Sequence, residues 1–136
     1  MVLLDTTVLI DLSRRPGTPA HNRARRRVDE LAAAGERLVT SRINEAEFRV
    51  GPERMPNRAD EILRVEGVLA WLVILEFDAS AARWYARTKA ALLDRGLPVG
   101  DCDTMVAAVA LANGHAIVTR NPGHFTIVPG LAVSSY

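Results

Sequence analysis

The chain has few of the residues that build disulfide-bonded, aromatic-rich or membrane proteins. Its 136 residues include one cysteine, Cys102, so no disulfide can form within the chain. A single cysteine is typical of a reducing compartment, and we expect a cytoplasmic location. No run approaches the roughly 20 apolar residues of a membrane span, and we expect no membrane contact. Acids interrupt residues 1–12, which we interpret as a strand entering a helix rather than a signal peptide.

Aromatic residues are also scarce, at 5% of the chain, although 49% of it is hydrophobic. The core must therefore consist mainly of Leu, Val, Ile and Ala. Short aliphatic runs of these residues are typical of buried strands in a parallel sheet with helices on both faces. The chain is long enough to bury one substantial core, and we expect a single domain over residues 1–136.

Lysine is nearly absent, because sixteen of the 17 basic residues are arginines and Lys89 is the exception. The net charge of only +1 conceals an uneven distribution, since six arginines and no acid lie between Arg14 and Arg27. Such a segment is either a solvated helix face or a contact surface for phosphates, which the planar guanidinium suits. Both interpretations stay open from the sequence alone.

Strand-like and helix-like segments alternate along the chain. Aliphatic runs predict strands at 2–4, 38–40, 72–75 and 116–119, with an edge strand at 131–133. Helical periodicity and end signals predict helices at 8–12, 21–34, 43–50, 57–66, from Asp78 or Ser80 to 92, and at 103–113. We expect Ser41 to cap the third helix and Gly51-Pro52 to end it. This alternation predicts an α/β fold of three layers, α/β/α, with a parallel sheet of four or five strands flanked by helices.

Acidic residues follow the predicted strands, at the edge where parallel sheets bind ligands. Asp5 follows the first strand, Glu47 lies early in the helix after the second, and Asp101 and Asp103 lie at the start of an apolar helix. Carboxylates placed together repel one another unless a cation neutralises them, and oxygen ligands favour Mg²⁺ or Mn²⁺ over Zn²⁺. Such an ion supports phosphodiester hydrolysis. Taken singly, each acid is equally well explained as a helix cap or a solvated side chain.

Four motifs resemble those of the PIN-domain ribonucleases, in particular the VapC-type toxins of bacterial and archaeal toxin–antitoxin pairs. They are VLLDTTVLIDL at 2–12, INEAEFRVG at 43–51, GLPVGDCDTMVAA at 96–108 and VTRNPGHF at 118–125. The resemblance runs from Val2 to about Leu131, and the third and fourth motifs are specific when found together. It implies a PIN-like fold and a metal-dependent endoribonuclease that hydrolyses RNA.

The resemblance also implies roles for individual residues. Asp5, Glu47 and Asp103 would be the catalytic carboxylates, because the family's second acid stands four residues before a glycine and its third four residues before an alanine. Asp5 and Asp103 would bind Mg²⁺ or Mn²⁺, and we expect Asp101 to be a third ligand because it lies two residues before Asp103.

Two further residues, Thr6 and Asn121, would orient water or substrate. Some family members carry a fourth acid where this chain has Asn121. We expect Asp101 to compensate, or the site to hold one metal ion; the alternative is that Asp101 only caps its helix.

Two protein partners are implied as well. One is a cognate antitoxin whose C-terminal segment lies along a groove near the acids and contributes a basic residue. The other is a second copy of this chain in a homodimer. Cys102 is expected to be a small buried residue rather than a nucleophile, and His124 to pack within its loop.

Other functional classes fit less well. A catalytically inactive PIN-like binding or regulatory subunit is the main alternative, and Asn121 is its best support. An aspartyl phosphatase related to haloacid dehalogenases needs a second aspartate where Thr7 stands. A response-regulator receiver needs an aspartate after the third strand, where none stands at the expected place.

Overall fold

Five strands alternate with six α-helices in the computed structural model, which describes residues 1–97 and 100–136. The strands are β1 (Val2–Leu4), β2 (Leu38–Ser41), β3 (Val73–Leu75), β4 (Ala116–Val118) and β5 (Val133–Ser134). The helices are α1 (Thr6–Ser13), α2 (Pro19–Ala33), α3 (Arg42–Glu53), α4 (Arg58–Leu69), α5 (Ala79–Asp94) and α6 (Asp101–Ala112), with a 3₁₀ turn at Pro122–His124. Within the described residues, no helix is both long and apolar enough to cross a membrane.

The strands form one parallel sheet in the order β3-β2-β1-β4-β5. The central strand is β1, and its last residue, Leu4, lies opposite Val118 of β4. The chain moves outward from β1 through β2 to β3 and then returns to the other side of β1. A reversal of this kind opens a crevice beyond the carboxyl ends of the strands. The predicted three-layer α/β/α fold with a parallel sheet is confirmed.

The two faces of the sheet carry separate apolar cores. Leu4 lies in a core with α1, α2, α4 and Phe48 of α3, whereas Leu3 lies in a core with α5 and α6. Side chains of neighbouring strand residues point to opposite faces, which explains this division. Residues 106–110 of α6 are all buried, so this nearly uncharged helix lies centrally, as its composition predicted.

Several element ends differ from the sequence prediction. Ser41 does cap α3, but the helix continues through Gly51 and Pro52 to Glu53. A proline in the last turn removes only one hydrogen bond, so the helix tolerates it there. Helix α6 begins at Asp101, two residues earlier than predicted, and the edge strand β5 lies at Val133–Ser134 rather than 131–133.

Candidate active site

A cavity of about 270 Å³ opens beyond the carboxyl ends of β1, β2 and β4. Asp5, Glu47 and Asp103 all line it, although they come from three segments far apart in the chain. The other lining residues are Thr6, Thr7, Asn121, His124 and Phe125. We call this space the acidic cavity. Two residues of the third motif, Pro98 and Val99, lie outside the described residues.

The most constrained acid is Asp5, which follows β1 directly and is 5% exposed. Its Oδ2 accepts hydrogen bonds from the hydroxyls of Thr7 and Thr119, both at 2.8 Å, and its Oδ1 accepts from the Asn44 amide at 3.3 Å. Asp5 is also the N-cap of α1. All of these donors are neutral, so they orient the carboxylate without cancelling its charge.

A single buried amide links Asp5 to Glu47. The Thr6 hydroxyl donates to Glu47 Oε2 at 2.5 Å, and Asn44 Nδ2 donates to Thr6 Oγ1 at 3.0 Å. Asn44 is fully buried, and its Oδ1 accepts from the Ser41 hydroxyl at 2.6 Å. This role of Asn44 was not predicted from the sequence. Its position three residues after a helix cap was the only available signal.

The third acid, Asp103, lies in the first turn of α6 and contacts a histidine. Nδ1 of His124 lies 2.9 Å from Asp103 Oδ2, and the imidazole is 60% exposed. The expectation that His124 merely packs within its loop is wrong, because the ring lines the acidic cavity. Asn121 lies on the same rim, and its backbone N–H donates to Thr119 Oγ1 at 3.0 Å.

Unlike the other acids, Asp101 is not among the residues that line the acidic cavity. Its Oδ1 lies 2.9 Å from Lys89 Nζ and accepts from the Tyr85 hydroxyl at 3.0 Å, which directs the side chain toward α5. Lys89, and next Tyr85, lower the pKa of Asp101. Nor does the Asp101 side chain cap α6, whose N-cap is Gly100. The structure thus places Asp101 apart from the acids it was expected to supplement.

The thiol of Cys102 is exposed, contrary to the expectation that this residue is buried. Partial desolvation raises its pKa, and the negative charges of Glu47 and Asp103 raise it further. A thiol in such surroundings is mostly protonated at neutral pH and is therefore a poor nucleophile.

Another buried carboxylate, Asp11 of α1, supports the site through a network of hydrogen bonds. This role was not predicted from the sequence either. Asp11 is fully buried, and it binds Arg14 Nε at 2.9 Å, Arg120 Nη1 at 2.8 Å and the Tyr136 hydroxyl at 3.0 Å. The backbone N–H of Arg120 donates to Thr7 Oγ1 at 3.0 Å. Because Thr7 also donates to Asp5, the network joins α1 and the chain's last residue to the acidic cavity.

The donor set of the acidic cavity suits a hard divalent cation, because carboxylate, hydroxyl and amide oxygens dominate it. Within residues 1–97 and 100–136, no group of three or more His, Cys, Asp or Glu side chains is arranged to hold a metal ion by itself. Mg²⁺ usually keeps several waters and takes one or two carboxylates directly. An ion of that kind fits this arrangement.

Comparison with known proteins identifies the family. The PIN domain family matches residues 2–130. The plasmid stability protein StbB of Pseudomonas syringae pv. tomato is 36% identical over 133 residues, covering 92% of this chain and 91% of that protein. The tRNA(fMet)-specific endonuclease VapC of Shigella flexneri is 31% identical over 136 residues, covering 98% of this chain and 96% of that protein.

A solved structure agrees with these relatives. The crystal structure of DNA-bound VapBC from Salmonella typhimurium has a chain with 28% identity and a TM-score of 0.84, covering 99% of this chain and 98% of that one. Full-length similarity in sequence and in fold therefore agrees with the four motifs, and this chain belongs to the PIN-domain family, in its VapC-type group.

Proposed function

We propose that this protein is a metal-dependent endoribonuclease and the toxin of a toxin–antitoxin pair. The observation that carries the proposal is the convergence of Asp5, Glu47 and Asp103 on one cavity at the reversal point of a parallel sheet. The name of the Shigella relative supports an RNA substrate. Phosphodiester hydrolysis is the reaction that such a cluster of carboxylates supports best.

The proposed cofactor is Mg²⁺ or Mn²⁺, with Asp5 and Asp103 as its protein ligands. When bound, a divalent ion neutralises phosphate charge and makes a water molecule more acidic. Thr7 and Thr119 hold the Asp5 carboxylate in one orientation. Thr6 orients Glu47 so that this carboxylate can accept a proton from the attacking water. Asn121 is exposed on the rim, and this position supports a role in orienting water or substrate.

The decisive experiment is cleavage of a pool of cellular RNAs by the purified protein in Mg²⁺ or Mn²⁺. The name of the Shigella relative makes initiator tRNA one substrate to include. We expect Asp103→Asn to lower the cleavage rate by roughly 100-fold or more, because a ligand charge is lost. Asp94→Asn at the end of α5 is the matched control, since it removes the same charge outside the cavity.

Two outcomes would contradict the proposal. Equal cleavage by Asp103→Asn and wild type would show that another site, or a contaminating nuclease, cuts the RNA. No cleavage by the wild type with either metal would indicate the catalytically inactive binding subunit instead.

The proposed protein partner is a cognate antitoxin, and the Salmonella relative was crystallised as VapBC. A groove of about 420 Å³ adjoins Glu47 and has an apolar floor that includes Ile10, Phe48, Met55 and Val65. We call it the apolar groove. It fits an extended antitoxin segment that places a basic residue toward Glu47. Expression of this chain alone should arrest growth, and co-expression of the adjacent small open reading frame should relieve the arrest.

The remaining proposals concern assembly and location. A single domain over residues 1–136 is supported by the packing of both helical layers on one sheet. A homodimer is supported by exposed apolar side chains on and beside α4, β3 and α5: Leu63, Trp71, Val73 and Leu93. Sedimentation should then give twice the chain mass.

The proposed location is the cytoplasm. It contains RNA substrates, and its reducing conditions suit a chain with a single thiol.

A further inference from the structure

The acidic cavity repels the backbone of the RNA that it is proposed to cleave. Affinity for a polyanion must therefore come from cationic groups nearby. Many arginines of this chain cannot supply that affinity, because a neighbouring acid neutralises their charge. Arg25 pairs with Asp29 and Arg27 with Glu30 in α2, for example.

A cationic surface does lie where α1 ends, between α2 and α4. It is a depression of about 460 Å³ whose lining includes Arg14, Arg15, Arg64 and His21 but no Asp or Glu. We call it the arginine depression. Arg15 is exposed, and it has no acid partner in the part of the chain that the structure describes. Arg64 pairs with Glu61 at 3.0 Å, but a surface pair of this kind is weak and exchangeable.

Positive charge is in excess at this end of α1. Arg14 and Arg120 both bind the single carboxylate of Asp11, so one negative charge faces two positive ones. The Asp11 contact to Nε also fixes the Arg14 guanidinium, and the Arg14 side chain remains 49% exposed. A fixed, exposed guanidinium loses little freedom when it binds a phosphate.

The arginine depression adjoins the apolar groove, which in turn adjoins the acidic cavity. The acidic cavity and the apolar groove share Glu47, and the apolar groove and the arginine depression share Ser13, Arg14 and Arg64. An extended strand that leaves the cavity can therefore cross the apolar groove to the arginines. The apolar floor between them suits the faces of unpaired bases, whereas the arginines suit phosphates.

We propose that the arginine depression binds the backbone phosphates of single-stranded RNA next to the cleavage site. This inference rests on the proposed ribonuclease function and adds to it the path of the substrate. It also implies that an antitoxin segment in the apolar groove interrupts this path, so that inhibitor and substrate exclude one another.

Binding of a fluorescent single-stranded RNA oligonucleotide, followed by anisotropy in EDTA, tests the proposal without cleavage. The test variant is Arg15→Gln with Arg64→Gln. The matched control is Arg23→Gln with Arg83→Gln, which removes the same charge from exposed positions outside the depression. We expect the test variant to raise Kd by roughly tenfold and the control to change it less than twofold.

The salt dependence gives a second readout. Loss of two phosphate contacts should lower the slope of log Kd against log salt concentration by about 1.4, at about 0.7 for each contact on a single strand. With Mg²⁺ present, the same variant should raise KM and leave kcat unchanged, because the arginines do not touch the cleaved bond. Equal losses in the two double variants would overturn the proposal, since only net charge would then matter.

Two further results separate this proposal from its alternatives. Unchanged RNA affinity combined with weaker binding of the antitoxin would assign the depression to the protein partner and overturn the RNA assignment. Normal RNA cleavage by the test variant, with unchanged KM, would overturn this inference but leave the proposed function intact. Absence of cleavage by the wild type would contradict the proposed function, while the binding result in EDTA would still decide on the depression.

Discussion

The thiol of Cys102 lies beside Glu47 and Asp103, and its surroundings oppose its ionisation. Because its pKa is raised, a thiolate nucleophile is scarce at neutral pH. We expect Cys102→Ser to cleave RNA within about twofold of the wild-type rate, since a hydroxyl replaces a neutral thiol of similar shape. Loss of cleavage in a folded Cys102→Ser protein would show that the sulfur takes part in the reaction.

Asn121 stands where some family members have a fourth acid, which suggested that Asp101 binds the metal ion instead. The structure leads us to expect that it does not. Lys89 holds its carboxylate on the α5 side, outside the acidic cavity. The Mg²⁺ concentration that gives half-maximal cleavage should therefore be the same for Asp101→Asn as for the wild type. Asp103→Asn should raise it. Because Lys89 lowers the Asp101 pKa, the ion pair is fully formed above the ordinary carboxyl pKa of 3.8 and is lost as pH falls below it. A raised Mg²⁺ requirement in Asp101→Asn would restore a metal role.

Strand ends and motifs predicted a site of Asp5, Glu47, Asp103, Thr6, Asn121 and Asp101. The structure brings the first five to one cavity and leaves Asp101 outside it. The side chains that hold these acids were not predicted. Asn44 and Thr119 contact Asp5 across 39 and 114 residues of sequence. Such contacts depend on strand order and register, which local patterns do not specify.

Helix α3 contributes to the site through its first turn as well as through Glu47. The Asn44 amide makes hydrogen bonds to Ser41, Thr6 and Asp5 in a fully buried position. Asn44→Ala should lower the free energy of unfolding by about 2 kcal/mol, because buried partners lose their hydrogen bonds. Urea denaturation measures this loss, and cleavage should also slow as Asp5 and Glu47 lose their orientation.

The control for this element is Asn57→Ala, which removes an exposed amide from the start of α4. We expect a change within about 0.5 kcal/mol there. Equal stability of Asn44→Ala and Asn57→Ala would contradict the supporting role of the buried amide.

Element boundaries show where local rules succeed and where they fail. The Ser41 cap was predictable, because its side chain bonds within the same helix. The continuation of α3 through Pro52 was not predicted, because Gly-Pro usually ends a helix; here Pro52 is buried in the last turn, where it removes only one hydrogen bond.

Across the whole molecule, the buried Asp11 ties α1 to Arg120 after β4 and to Tyr136. Burial, and the nearby Asp11 charge, raise the Tyr136 pKa, so the folded state holds the phenol proton more tightly than the unfolded state. The resulting stability is complete below the ordinary phenol pKa of 10.0 and is lost as pH rises above it. Tyr136→Phe should lower the free energy of unfolding by about 1 kcal/mol at pH 7 and reduce its further loss above pH 10.0, measured by urea denaturation at pH 7 and above pH 10.0. An unchanged pH profile would show that another group governs it.

The three-layer architecture was predictable at this scale because aliphatic runs and helical segments alternate. The strand order was not predictable, because the aliphatic sequences of strands such as β1 and β4 do not specify which strand each will pair with. The pairing of β1 with β4, which are separated by more than a hundred residues, is what brings Thr119 beside Asp5.

The same pairing has a consequence for synthesis of the protein on the ribosome. Asp5 and Glu47 emerge early, but Asp103, Thr119 and Asn121 belong to the last third of the sequence. A nascent chain therefore carries only two of the three proposed catalytic carboxylates until the last third of the sequence has been translated. The proposed nuclease site can assemble only when β4 has left the exit tunnel and paired with β1, so folding sets the moment at which the protein becomes active.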